Sequence, residues 1–384
     1  MRATSCPPGI ASAGLNSVFA SYGAVVRGTA EYWASFFEGR RAPLDAVVDL
    51  LDYFSEAARR DKPTWATAND VMAEWPIARL RDFSAPDADT EIATLLLPPQ
   101  AGHDSCIVDF APGQSQISCA RDSGLDRVYS LDWKPGTEQT KDASIEHYLT
   151  VIDDVVERLG GRVNLVGDCQ GGWLAVIYAA LRSGAVASLV IGGAPVDFHA
   201  GEPLIHDWLR VLARNGDLGS YRRIVRANAG VLPGEFLLGG FIALQPESEL
   251  ERQIQLLAHI RDPEHVDRFR TFETWFKHTQ PIPGAFYLWI VEHLFQKNEL
   301  VAGTLRVGGE RVDLAAITCP LHLIAGATDH ITPAAQVYAL ANYARSAEVE
   351  QRLAPGGHLG LFMGHEALRE QWTPVFAAVA GRSA

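Results

Sequence analysis

The stretch that most constrains this chain is Val163-Asn164-Leu165-Val166-Gly167-Asp168-Cys169-Gln170-Gly171-Gly172-Trp173. A short apolar run reads as a buried strand, and Leu174 to Ala180 reads as a helix. Between them stands a Gly-x-nucleophile-x-Gly turn, which presents an attacking atom at the top of a parallel sheet. Here that atom is the sulfur of Cys169. The turn forces the nucleophile into strained backbone geometry, so only small neighbours at 167 and 171 let strand and helix pass closely.

Strand-like runs surround this elbow at 92–97, 106–110, 128–133, 189–192 and 321–325. A helix is expected over 145–159 with Ser144 as its cap, leading into the nucleophile strand. Strands alternating with helices imply an α/β protein with a mostly parallel sheet, its ligands beyond the carboxyl ends of the strands. An elbow in that setting is the mark of an α/β-hydrolase fold. Before it, Val18 to Phe37 and Leu44 to Ala58 predict two amphipathic helices, taken as an N-terminal extension over 1–90. The catalytic domain then runs over 91–384. Within it, 198–300 loses the alternation and collects aromatics such as Trp208, Tyr221, Phe286 and Trp289, as a helical lid insertion would.

A thiol nucleophile needs a base, and the base needs an orienting carboxylate. In this fold the order along the chain is nucleophile, acid, histidine. Asp329 follows the strand at 321–325, and His358 lies in the glycine-rich Pro355-Gly356-Gly357-His358. Cys169, Asp329 and His358 are therefore the expected catalytic residues. The oxyanion hole is expected at the backbone N–H of Gln170, with a second donor from Ala111-Pro112-Gly113-Gln114, nominally Ala111. His330 and Trp173 are the candidate substrate contacts. Asp168 raises an electrostatic question, because a carboxylate beside the nucleophile would disfavour thiolate unless a partner offsets it. Cys106, Cys119 and Cys319 read as small buried residues.

Composition narrows the rest. A net charge of −13 argues against nucleic acid, whose binding rests on Lys and Arg. Five cysteines without a CxxC pair give neither a disulfide framework nor zinc spacing, and suit a reducing compartment. No metal or redox cofactor is expected. No apolar run is long enough to span a membrane, so the expected location is cytoplasmic.

Taken together, these residues resemble the polyhydroxyalkanoate synthases, particularly the short two-subunit forms, over about residues 128–364. Asn164 to Gly172 is similar to the family's elbow. Ala194-Pro195-Val196-Asp197-Phe198, Leu232-Pro233-Gly234-Glu235-Phe236-Leu237, Asn298-Glu299-Leu300, Asp329-His330-Ile331-Thr332-Pro333 and Gly356-Gly357-His358 carry the likeness further. The segment Gly357 to Gly364 leans toward the intracellular polyhydroxybutyrate depolymerases, relatives with the same Cys-His-Asp set. The resemblance implies acyl transfer from an (R)-3-hydroxyacyl-CoA through a Cys169 acyl-enzyme. It also implies a homodimer or a second synthase subunit, and a granule-associated cytoplasmic location. Hydrolysis of a polyester or acyl thioester by the same triad is the alternative. A non-catalytic granule-binding protein is the alternative of another class.

Overall fold

The computed structural model describes residues 8–201, 217–346 and 348–383, with side-chain environments from residue 20 onward. Two helices come first, α1 (Pro8–Glu38) and α2 (Pro43–Ala57). The strands of the main sheet are β1 (Asp70–Glu74), β2 (Ala78–Asp82), β3 (Ala93–Leu97), β4 (Val128–Trp133), β5 (Val163–Asp168), β6 (Val186–Gly192), β7 (Leu321–Gly326) and β8 (Val349–Ala354). The helices used below are α3 (Ile145–Arg158), α4 (Gln170–Leu181), α5 (Pro246–Ala258), α6 (Pro263–Phe276) and α7 (His358–Met363).

The eight strands lie in the order β1-β2-β4-β3-β5-β6-β7-β8. The hairpin β1–β2 and the β2–β4 pair are antiparallel, and every later pairing is parallel. Strands β3 to β7 are buried at every position. Covered on both faces, they read as unbroken apolar runs. This is the expected α/β-hydrolase architecture, with the nucleophile strand β5 at its centre.

Three readings change. The sheet begins at Asp70, inside the stretch taken as a helical extension, because the charged β1–β2 hairpin pairs onto β4. The run Cys106–Phe110 is not a sheet strand. Residues Ser105–Val108 form a 3₁₀ turn capped by the Asp104 carboxylate, which accepts from the Cys106 N–H at 3.1 Å. Asp109–Ala111 then pairs only with Gln114–Ser115. Buried Asp109 pins that small hairpin, accepting from Thr67 N at 2.7 Å and Ser115 Oγ at 2.6 Å.

The third change concerns organisation. The chain folds as two compact units, and the 236–278 half of the expected lid belongs with the N-terminal segment through Pro63. Residues 217–235 and 279–302 stay with the sheet unit, and Trp208 lies outside the described residues. In the helical unit, Leu256, Ile260, Val266 and Phe269 form one apolar core with Tyr53 and Ala57 against it. Helix α1 approaches α5 so closely that a Cβ at Gly28 would sit 2.1 Å from Ile254 Cγ2. Asp49, buried on α2, accepts from Tyr32 Oη at 2.9 Å and pairs with Arg41 at 2.8 Å and Arg261 at 2.5 Å.

Candidate active site

The elbow is built as its glycines require. Cys169 has φ 48° and ψ −114°, a conformation that L-residues adopt only under constraint. A Cβ at Gly171 would stand 1.9 Å from the Leu97 carbonyl oxygen, and one at Gly167 2.6 Å from that of Gly171. Gly172, which the motif does not demand, is equally constrained: its Cβ would lie 2.3 Å from Ala194 Cβ. The Cys169 N–H donates to the Gly192 carbonyl at 2.9 Å, tying the turn to the end of β6.

The two other expected residues meet there. Asp329 follows β7, and its Oδ1 accepts from the N–H groups of Ile331 at 2.9 Å and Thr332 at 2.8 Å. Its Oδ2 lies 2.7 Å from His358 Nδ1. Cys169 is near enough for its sulfur to bear on the charge of the His358 imidazole. Burial alone would lower the His358 pKa, yet the Asp329 carboxylate and the Cys169 sulfur outweigh it and hold it well above its ordinary range. The ring packs edge-on against Phe362, centroids 5.1 Å apart, which fixes its plane.

Asp168 answers the electrostatic question. It is fully enclosed, and burial pushes its pKa up to about 8, against a smaller opposing pull from the Gln116 amide and His358. A neutral carboxyl beside the nucleophile does not repel a thiolate. Sequence reasoning had no way to find Gln116, an ordinary polar residue at the start of a short helix. The other described cysteines are held as thiols: burial raises the pKa of Cys106 and Cys119, and that of Cys319 to about 11. Cys6 lies outside the described residues.

Gln170 opens α4, with its N–H at the helix N-terminus. Ala111 does not follow the strand that the argument needs. Its hairpin reaches α7, where Gln114 Nε2 donates to the Met363 carbonyl at 2.6 Å. The strand beside β5 is β3, and its end, Leu97, is what presses on Gly171. The Pro98 carbonyl oxygen would likewise stand 2.7 Å from a Cβ at Gly171, so the chain leaving β3 borders the elbow. Trp173 is also corrected. It is 1 % exposed, beneath Phe286 and Trp289 at 6.0 and 6.3 Å between ring centroids, and serves the core. His330 is half-buried beside Asp329.

The segment after β6 is clamped by a residue whose role the motif did not reveal. Asn298, at φ 50°, accepts from Phe198 N at 3.0 Å and donates to Asp197 Oδ1 at 2.8 Å. Gln336 Nε2 donates to the Phe198 carbonyl at 2.9 Å. Asparagine tolerates the left-handed conformation, which is the one signal the sequence offers. Among the described residues there is no cluster of three or more His, Cys, Asp or Glu side chains suited to a metal ion, and no helix long and apolar enough to cross a membrane.

Residues 75–377 match the family described as "Protein of unknown function (DUF3141)". The chain belongs to that family. All three residues of the Cys169 constellation lie within the matched span. The chain is also 29% identical over 271 residues to the "Poly(3-hydroxyalkanoate) polymerase subunit PhaC" of Allochromatium vinosum, covering 69% of this chain and 74% of that one. The subunit of the same name from Haloferax mediterranei is 26% identical over 357 residues, covering 90% of this chain and 71% of that one. This DUF3141 protein is thus a relative of the polyhydroxyalkanoate polymerases. Among solved structures, a carboxylesterase of Nitrososphaera gargenis aligns at a TM-score of 0.50 with 16% identity, over 81% of this chain and 99% of that one, which shows the shared α/β-hydrolase fold. The protein is an enzyme, an acyltransferase or a hydrolase.

Proposed function

We propose that this protein is an acyltransferase of the polyhydroxyalkanoate synthase type, acting on (R)-3-hydroxyacyl-CoA thioesters. The observation that carries the reading is the Asp329–His358 pair, 2.7 Å apart, set beside Cys169 on a strained elbow. Similarity to the polymerase subunits supplies the substrate class. In the first half-reaction the Cys169 thiolate attacks the thioester carbonyl while His358 carries the proton. The N–H of Gln170 and a donor from the 98–103 loop receive the oxyanion. The carbon–sulfur bond to CoA breaks, and CoA leaves with the proton from His358. In the second, a hydroxyl gives its proton to His358 and attacks the acyl-enzyme, forming an ester and returning Cys169. Asp329 stabilises the imidazolium in both. These steps call on no metal or redox cofactor, and a cytoplasmic location suits a thiol nucleophile and a CoA substrate.

Hydrolysis differs only in the acceptor, so one experiment separates the two. Purified protein is given 3-hydroxybutyryl-CoA beside Cys169→Ala, with free CoA and acyl product followed together. Polymer formed with CoA release, both lost in the variant, is the expected result. Free hydroxyacid with CoA release makes the protein a hydrolase. CoA release undiminished in Cys169→Ala overturns the assignment of the nucleophile.

A further inference from the structure

Three arginines crowd the short helix Gly219–Ala227, in the run Arg222-Arg223-Ile224-Val225-Arg226. All three are exposed. Arg226 stands four residues from Arg222 and three from Arg223, so the charges are neighbours on the helix surface, where like charges at such spacings destabilise. The helix has no carboxylate of its own to offset them. Among the described residues none of the three forms an ion pair, and Arg223 donates to Ser220 Oγ at 3.3 Å. Nearby acids are engaged elsewhere. Asp217 accepts from Gly219 N at 2.8 Å, and Glu292, which feels the Arg222 charge, is bonded to Lys297 at 2.8 Å. On a chain of net charge −13 such a group of unpaired cations calls for an anion.

The inner side of the same helix fixes where the cations stand. Val225 packs on Gly284, where a Cβ would sit 2.3 Å from Val225 Cγ1, and the Tyr221 ring lies 5.7 Å from that of Tyr287. The helix Gly284–Trp289 then lays Phe286 and Trp289 over Trp173, which is one turn of α4 beyond Cys169. Beyond the arginines the chain turns through Ala229 at φ 53° and Gly230 at φ 87°. A left-handed alanine persists only where its surroundings hold it, and here Gly284 N donates to the Gly230 carbonyl at 3.0 Å. Against Gly230 runs the stem of Lys141, whose Cδ would lie 2.6 Å from a Cβ there. Lys141 also forms no ion pair among the described residues. It comes from the loop after β4, at the carboxyl end of the strands, as do Cys169 after β5 and Asp329 after β7. Ligands of such sheets bind at that end.

We propose that Arg222, Arg223 and Arg226, with Lys141, bind the phosphates of the coenzyme A thioester whose acyl group passes to Cys169. The assignment rests on the acyl-CoA reading given above and gives that substrate a second point of attachment. Guanidinium groups match phosphate oxygens with paired, charge-assisted hydrogen bonds. A polyanion held there relieves the repulsion among the arginines, and anchoring the remote end of the leaving group helps to orient the reacting carbonyl.

Binding is read apart from turnover, by calorimetric titration of full-length Cys169→Ala with CoA and with pantetheine, which keeps the thiol arm and lacks the phosphates. CoA is expected to bind more tightly, and to lose most of that advantage in about 0.5 M salt, where exposed charges are screened. Arg222→Glu with Arg226→Glu should weaken CoA on the order of tenfold and leave pantetheine unchanged. Arg223→Glu alone gives an independent reading if the double variant fails to fold. Arg369→Glu, at an exposed position paired with Glu370, controls for net charge and should leave CoA affinity as it was. Equal affinity for CoA and pantetheine overturns the proposal, as does CoA binding that survives both reversals or falls equally in Arg369→Glu. Inorganic pyrophosphate binding as tightly as CoA overturns it too, making the patch a general anion site. Cleavage of 3-hydroxybutyryl-CoA is scored separately. If CoA binds through these arginines and the thioester is not cleaved, the site stands and the proposed reaction falls. If the thioester is cleaved with the same KM with and without the double reversal, the reaction stands and the site falls.

Discussion

At the residue scale the informative group is Asp168. Its pKa rises from near the ordinary carboxylate value to about 8 because burial disfavours the charged form. Between about pH 4, where the unfolded side chain ionises, and pH 8 the folded protein holds a proton that the unfolded chain has released. The folded state then binds more protons than the unfolded state, so stability falls as pH rises across this window, by up to about 1.4 kcal/mol per pH unit. Asparagine keeps the shape of the side chain but carries no titrating proton. Asp168→Asn should therefore be close to wild type at pH 4 and more stable than wild type at pH 8, by urea denaturation at each pH. Parallel pH profiles for the two proteins would show that the carboxyl is ionised in the folded state and the argument wrong.

At the scale of elements, the elbow depends on three backbones passing within van der Waals distance. Gly171→Ala would drive a Cβ into the Leu97 carbonyl at 1.9 Å, and a carbonyl held in a parallel ladder cannot turn away. Overpacking of ordinary cores costs ~1–3 kcal/mol, and this site should exceed it, with loss of soluble protein or of CoA release. Gly184→Ala is the control, because a Cβ there meets nothing within 4 Å. It should leave the denaturation midpoint unchanged. The elbow was legible in the sequence for the same reason that it is fragile: crowding leaves glycine as the one residue that fits. Asp329 and His358 were legible from their order after credible strands. The segment bordering the elbow was not, because Cys106–Phe110 is as apolar as a strand. What turns it into a 3₁₀ turn is the Asp104 cap and the buried Asp109, both tertiary in effect. The β1–β2 hairpin was illegible for the opposite reason. An edge strand exposed at nearly every position has no buried face to impose an alternating pattern, and β1 offers only Val71-Met72-Ala73 between Asp70 and Glu74.

At the scale of the whole molecule, the division into units could not be read from local pattern, because its helical part is assembled from segments some 200 positions apart. Glu56 meets Arg270 in two hydrogen bonds of 3.0 and 2.9 Å, and Asp49 meets Arg261, pairs that no periodicity announces. Each unit has its own core, so each should unfold cooperatively on its own account. Asp49→Ala tests this. It removes a fully buried carboxylate and leaves Arg41, Arg261 and Tyr32 without their shared acceptor. Breaking a buried pair in this way costs about 3–5 kcal/mol. Differential scanning calorimetry of the wild type should resolve two transitions. The variant should lower the one belonging to the helical unit while the other, set by the sheet around β5, stays in place. If the wild type unfolds in a single transition that Asp49→Ala shifts as a whole, the two units share one cooperative fold, and the loss of a carboxylate on α2 would be felt at Cys169.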